Sequence, residues 1–329
     1  MNVLGIVNFE DDSVKIDGLG DYRPVPAVSF MGRYRIIDVI LSNMTNSGID
    51  NVQVYCKEKP RNLFDHLGDG TMYNINSKRG KMRILYGEKP FTSPIYNTDV
   101  ANFLLNLQYI EEDTNPYVLI APSYFVYNFD FNEAFNAHVE SGADITVLYT
   151  STNDAKTRFL SCDVITMDKE KRVLSFEKNR GKSKSRQVSM EAYILSKALF
   201  IQLIKQAATV SSLYWFKDIL RDQVEELVIK GYGVRGYVSC IGSLTEYYKT
   251  GMELKNPNNS ELLFKEDRPI YTQTNDSCPT RYSSDADVKD SVIANGCLIE
   301  GTVEGSIIGR NVTIKEVLLL KIQLLWQML

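Results

Sequence analysis

The chain has 329 residues, enough for one large domain or two ordinary ones. Apolar residues make up 44% and charged residues 24%, with a formal net charge of −4, the balance of a globular protein with a real core. This balance leaves no electrostatic footprint for nucleic acid or an anionic membrane, and no segment reaches the roughly 18 apolar residues that a membrane span needs.

Val3–Val7 is a short apolar run, expected as a buried parallel strand. Ile36, Ile37, Ile40, Leu41 and Met44 then recur at helical spacing, and Gly48 sits where a glycine ends a helix. Asn51–Tyr55 is the next strand, closing a unit whose crossover is expected to be right-handed. Pro60–Leu67 has a proline at a first helical position. Asp99 is placed to cap a helix whose Val100, Phe103, Leu104, Leu107 and Ile110 share one face. Tyr117–Ala121 reads as a strand, Phe131–Ser141 as a helix and Ile145–Tyr149 as a strand. Asp163–Met167 and Arg172–Phe176 flank a polar turn and read as a hairpin. Met190–Leu195 is a strand followed by Ser196 as a helix cap. Phe216–Lys230 reads as one amphipathic helix stopping at Gly231. Alternation of this kind over residues 1–254 predicts an α/β fold with a doubly wound, mostly parallel sheet.

After Leu254 the character changes. Residues 255–287 are polar and punctuated by proline, which suits a linker. Residues 288–316 carry branched aliphatics every five or six positions, with Gly, Asn and Ser between them. This pattern resembles the hexapeptide coils of a left-handed β-helix, which bury their faces only by stacking. Residues 317–329, VLLLKIQLLWQML, are an atypical apolar tail. They are either foreign to the repeat or a C-terminal helix packing on the body; the abrupt stop of the repeat favours the first.

The five cysteines, Cys56, Cys162, Cys240, Cys278 and Cys297, form no CxxC pair and no Cys/His cluster. The N-terminus lacks a basic region followed by an apolar run. A cytoplasmic protein without disulfides is the simplest reading. His66 and His138 are expected to be structural or surface residues. Glu10, Asp11 and Asp12 form an acidic triplet, read as a solvated loop in preference to a divalent-metal site. Arg35 and Asp38 fall at i,i+3, as an intrahelical pair would.

The segment Pro24–Ile49, PVPAVSFMGRYRIIDVILSNMTNSGI, resembles the start of the ADP-glucose pyrophosphorylase family (glucose-1-phosphate adenylyltransferase), specifically its non-catalytic, regulatory branch. The resemblance covers nearly the whole chain. It implies a nucleotidyltransferase-like domain over 1–254, followed by the start of a left-handed β-helix. In that family a glycine-rich loop precedes this run, where the chain has Glu10, Asp11 and Asp12. The family's lysine falls on Val25. Its two Mg²⁺-binding aspartates fall on Ser123 and Cys240, and the glutamine that reads adenine falls on Lys57. Triphosphate handling needs amide donors, cations and metal-binding carboxylates, and a carboxylate about 5 Å from a phosphate charge costs roughly 3 kcal/mol at an effective dielectric near 20.

On the sugar side Glu177 and Lys178 match the family's Glu-Lys pair, and Ser189 opens a segment matching its Ser-Met-Gly-x-Tyr, with Glu191 in place of the glycine. They are candidates for sugar-phosphate binding; otherwise Glu177 and Lys178 are a solvated pair. Arg33 and Arg79 are candidates for gripping a phosphorylated effector, or else belong to solvated basic loops. The resemblance therefore implies a catalytically degenerate subunit in ADP-glucose synthesis for glycogen. It carries no cofactor of its own, Mg²⁺ being expected only in the catalytic homologue. Its partner is that catalytic subunit, in a hetero- or homo-oligomer, with no nucleic acid and no membrane. The competing readings are an active nucleotidyltransferase and a non-catalytic sugar-phosphate sensor.

Overall fold

The computed structural model describes residues 1–20, 23–75, 78, 80–87, 94–160, 162–316, 319–321 and 323–325. Nine strands form the central sheet: β1 (Val3–Asn8), β2 (Asn51–Cys56), β3 (Lys81–Tyr86), β4 (Tyr117–Pro122), β5 (Ile145–Thr152), β6 (Asp163–Met167), β7 (Val173–Lys178), β8 (Arg186–Ser196) and β9 (Ile229–Gly233). The described helices are α1 (Ile36–Asn46), α2 (Arg61–Leu67), α3 (Asp99–Leu105), α4 (Leu107–Glu111), α5 (Phe131–Ser141), α6 (Lys197–Val210), α7 (Phe216–Asp222), α8 (Leu244–Leu254) and α9 (Pro257–Leu263). The molecule is thus α/β.

Strands β3, β2, β1 and β4 run parallel in that order. The apolar runs of β1 and β4 are buried on both faces, as a parallel sheet covered by helices requires. Strand β8 then enters antiparallel between β4 and β5, and β6 and β7 form a hairpin beyond it. Two apolar clusters fill the two sides of the sheet: one is built on α1 with Val7, Val54 and Phe125, the other on Ile6, Phe103 and Phe200.

Strand β8 is interrupted by a bulge. Its pairing with β5 shifts register between Ser189 and Ala192. At that bulge Glu191 adopts φ +51°, a left-handed conformation that favours glycine. After the bulge β8 pairs with β4 over Tyr193–Ser196, and before it Val188 pairs with β6.

Two local expectations are corrected. Thr98, not Asp99, caps α3: its hydroxyl oxygen accepts from the Ala101 amide at 3.2 Å. Asp99 turns inward instead. It accepts from the Phe216 amide at 2.9 Å, the Val100 amide at 2.7 Å and the Asn8 side-chain amide at 2.7 Å. It therefore joins the end of β1 to the start of α7. The span Phe216–Lys230 is also not one helix. Helix α7 stops at Asp222, and Ile229 begins β9, parallel to β5. Sheet pairing overrides the helical period here, and a side chain at Gly231 would collide with Met167 and the Tyr149 ring.

Burial pushes Asp99 up to about 6, against the opposing pull of its three donors. The folded value lies above the ordinary 3.8, so the folded state keeps this proton to higher pH than the unfolded chain does. Its favourable contribution is full below about pH 4 and is lost as pH rises through about 6, a swing of about 3 kcal/mol. Urea unfolding at pH 4.5 and at pH 7 should show this slope in the native chain and lose it in Asp99→Asn. An unchanged slope in the variant would assign it to other groups.

The span read as a linker begins with α9 and is pinned to the body. Arg268 donates to Phe129 O at 2.9 Å and to Ser47 Oγ at 3.0 Å, and Asn128 donates to Leu263 O at 2.7 Å. Parallel stacking begins earlier than the hexapeptide pattern suggests, at Arg281–Tyr282, which pairs with Leu298–Ile299 and through it with Thr313–Ile314. Two further three-strand stacks complete the coils: Asp287–Lys289 with Thr302–Glu304 and Leu319–Lys321, and Val292–Ile293 with Ile307–Ile308 and Leu324–Leu325. The described part of the tail is therefore strand in register with the coils, not a helix on the body. Cys297, Ile299, Val303, Ile308, Ile314 and Leu320 fill the coil interior. Gly32, at φ +80°, meets this coil closely, since a Cβ there would lie 3.2 Å from Ile308 O.

Candidate functional site

The C-terminal ends of β1 and β4 lie side by side, Asn8 opposite Pro122, and neighbours of β1 diverge to β2 on one side and β4 on the other. Open α/β sheets bind ligands at such a switch point. Two cavities lie here, and Asp11 lines both.

The smaller, about 270 Å³, is walled by the loop after β1 and by Val25 and Lys57. Val25 sits buried in a single 3₁₀ turn, Val25–Ala27, and contributes only an apolar wall. The acidic triplet is solvated only at Asp12, whose side chain is 68% exposed. Lys57 Nζ donates to Asp12 at 2.6 Å, and its ammonium lies 5.4 Å from the centre of the Trp215 ring. Asp11 pairs with Lys217, and Ser13 N donates to Asp11 at 2.8 Å. Glu10 Oε2 is buried with no protein donor, and burial raises the Glu10 carboxyl above its ordinary value.

Lys217 is the centre of the arrangement. Glu191, at the β8 bulge, places Oε1 at 3.5 Å from it, while Glu191 Oε2 accepts from the Tyr124 hydroxyl at 2.7 Å. Burial works to lower the Lys217 ammonium, but the Glu191 and Asp11 carboxylates outweigh it and hold the ammonium above its usual value. Asp11 is also desolvated, yet Lys217 and Ser13 bring it below the usual carboxylate range. Glu191 goes the other way: burial raises it, and Lys217 offsets this only in part. One ammonium shared by two carboxylates stabilises one of them well and the other poorly.

Ser123 and Cys240, the two positions that the resemblance matches to metal-binding aspartates, are both buried. Ser123 follows β4, its amide donating to Asn8 O at 3.0 Å and its buried hydroxyl oxygen without a protein partner. Cys240 ends the short strand Val238–Cys240, and its thiol is buried against that of Cys162. A hydroxyl and a sulfur do not supply the hard anionic oxygens that Mg²⁺ requires. Among the described residues no group of three or more His, Cys, Asp or Glu side chains is placed to hold a metal ion.

The larger cavity, about 600 Å³, opens on the other side of Asp11. Glu177 and Lys178 line it from the end of β7, as do Arg180 and Lys182 from the connection into β8 and Arg186 from the start of β8. Arg221 also faces it but is occupied, holding Asp163 and Asp218 at 2.9 Å each. Ser189 lies elsewhere: fully buried, its Oγ accepts from the Glu191 amide at 3.1 Å, so it shapes the bulge and not the cavity wall. Arg33 is exposed beside the β-helix coils, its guanidinium 5.4 Å from the Tyr34 ring centre. Burial, then the charge of Arg33, lowers Arg310 next to it. Arg79 lies outside the described residues. Sequence reading missed Lys217, Arg180, Lys182 and Arg186. The first sat inside a span read only as an amphipathic helix; Arg180 and Lys182 follow Lys178 in a loop without regular spacing, and Arg186 opens β8 ahead of the strand read from the sequence.

Comparison with known proteins places this geometry. The nucleotidyl transferase family model matches residues 16–256. The glycogen biosynthesis protein GlgD of Geobacillus stearothermophilus is 32% identical over 95% of this chain and 81% of its own length. The chain belongs to the ADP-glucose pyrophosphorylase family. GlgD of Bacillus subtilis is 28% identical over 94% of the chain and 80% of its own length. The glucose-1-phosphate adenylyltransferase of G. stearothermophilus is 30% identical over 88% of the chain and 75% of its own length. Both kinds of relative thus share this family's scaffold with the chain. Among the described residues no helix is long and apolar enough to cross a membrane.

Proposed function

We propose that the chain is a regulatory, catalytically degenerate subunit of glucose-1-phosphate adenylyltransferase, acting in glycogen biosynthesis by pairing with a catalytic homologue. The observation that carries this reading is the internal neutralisation of the nucleotide side. Lys57 is committed to Asp12, and Lys217 to Asp11 and Glu191. A triphosphate entering there meets carboxylates beside the Lys57 and Lys217 ammoniums, although Lys15, Arg23 and Lys59 also line the smaller cavity, and Ser123 and Cys240 add no metal-binding oxygen anion. Nucleotidyl transfer depends on positioning and on charge neutralisation, and the ion pairs at Lys57 and Lys217 work against the second. Oligomer formation depends on the scaffold, which is intact.

The test uses three samples: this chain alone, a catalytic homologue from the same cell alone, and the two mixed. With ATP, glucose 1-phosphate and Mg²⁺, the chain alone should stay at background. The mixture should co-elute as a hetero-oligomer and shift the kcat or KM of the homologue at least about threefold. Turnover by the chain alone, or two species that elute apart, would end this reading.

A second reading is favoured by one further observation. Lys178, Arg180, Lys182 and Arg186 line the 600 Å³ cavity, and none of them has an acidic partner among the described residues. A cavity of this size with uncommitted cations suits a sugar phosphate. Binding of glucose 1-phosphate without ATP is compatible with a regulatory subunit that senses one substrate of its partner.

A further inference from the structure

Asp11 stands at the wall between the two cavities. Its carboxylate holds Lys217 at one end of the basic cavity while Lys178, Arg180, Lys182 and Arg186 stand uncommitted around the rest. Lys217 is thus a lining cation already occupied by an anion that belongs to the chain itself. The loop that carries Asp11 is anchored on either side of it, by buried Phe9 before and by buried Val14 and Ile16 after, so the Asp11 side chain itself is what can exchange. Ser13 holds the carboxylate, and Lys15 N donates to Gly242 O at 3.1 Å.

We propose that Asp11 is a tethered competitor for Lys217: a phosphate-bearing ligand in the basic cavity displaces this carboxylate when the cavity fills. The proposal rests on the sugar-phosphate reading of that cavity. Two oxyanions cannot share one ammonium that Glu191 also holds, 3.5 Å away, without repulsion. The ligand therefore exchanges places with Asp11 or forgoes Lys217. The exchange has a built-in reporter. Trp215 lines the basic cavity, meets Phe9 of the same loop edge to face with ring centres 5.7 Å apart, and lies under the Lys57 ammonium. Movement of the Asp11 side chain and entry of the ligand change the surroundings of that indole.

The experiment follows glucose 1-phosphate and inorganic phosphate binding by calorimetry and by Trp215 emission, in a Trp326→Phe background so that one tryptophan reports. Asp11→Asn should bind glucose 1-phosphate about tenfold more tightly than the native chain. Its emission without ligand should already resemble that of the saturated native chain. Asp12→Asn is the control, because Asp12 is exposed, pairs with Lys57 and faces the other cavity. It should change affinity less than about threefold, and thermal unfolding of each variant checks that it folds. Equal affinity in the native chain and Asp11→Asn, or equal tightening in both variants, overturns the tethered competitor while the sugar-phosphate reading stands. No binding to any of the three proteins overturns the sugar-phosphate reading and this proposal with it.

Discussion

Replacing Asp38 with alanine is expected to destabilise the chain by about 3–5 kcal/mol, the range seen when one partner of a buried charged network is removed. Asp38 is fully buried at the start of α1. It accepts from the Tyr73 hydroxyl at 2.6 Å, lies 2.6 Å from His66 Nε2, and accepts from the Arg35 amide at 2.8 Å. Tyr73 and His66 are themselves buried. Truncation strands three polar groups where water cannot reach them, and the desolvation of each is then uncompensated. The i,i+3 spacing of Arg35 and Asp38 thus marks no intrahelical ion pair. The Arg35 guanidinium turns away and donates to Ala27 O at 2.9 Å, fixing the Val25–Ala27 turn that walls the smaller cavity. Tyr73→Phe removes one donor and strands nothing, so it should cost only about 1.5–3 kcal/mol, as loss of a hydrogen bond to a charged group does. Denaturant unfolding measures both, and the double variant should show strong non-additivity. A loss below about 1 kcal/mol in Asp38→Ala would mean that water or another group takes up the three partners.

The difference between Asp38 and Asp99 shows what a sequence can disclose. Continuous apolar runs between turn residues marked β1, β2 and β4, because a strand buried on both faces has no room for alternation. Asp130 before Phe131 and Gly142 after Ser141, the latter at φ +59°, punctuate α5 on both sides, and its limits were legible. Strand β9 was not, since only its partner β5 decides against the helix that the local pattern favours. At the site, roles for Val25, Ser123 and Cys240 were proposed from the resemblance through motif spacing along the chain. The ion pairs could not be read in this way. Asp11 and Lys217 lie 206 residues apart, and Asp12 and Lys57 lie 45 apart, so no local period connects them. Of the acidic loop, Asp12 is solvated and still pairs with Lys57, while Asp11 is a largely covered counter-ion of Lys217, and only the folded arrangement shows which cations they take. Glu191 was legible as an intruder at a glycine position. Its left-handed backbone and its hold on Lys217 needed the bulge in β8 to become visible.

The double variant Asp11→Asn/Asp12→Asn is expected to bind ATP at least about a hundredfold more tightly than the native chain, yet to form no ADP-glucose. A carboxylate about 5 Å from one phosphate charge opposes binding by about 3 kcal/mol at an effective dielectric near 20, which is about a hundredfold in affinity. Most of the gain should come from Asp11, whose side chain is 14% exposed. Asp12 is 68% exposed, so solvent and salt screen it and its share should be tenfold or less. Each substitution also releases an ammonium, Lys217 or Lys57, to face the phosphates. Glu191 keeps a partial hold on Lys217 and limits the recovery, so adding Glu191→Gly should tighten binding again, and glycine suits the φ of +51° at that position. On the proposed reading chemistry should not follow binding, because the resemblance matches Ser123 and Cys240 to metal-binding carboxylates and neither side chain is one. Calorimetry with ATP and a coupled pyrophosphate assay on the same protein separate the two steps. Tighter ATP binding with no pyrophosphate released is the outcome for a site whose loop and metal ligands decayed independently. Measurable turnover in the double variant would mean that other side chains hold Mg²⁺, and the non-catalytic reading would be lost.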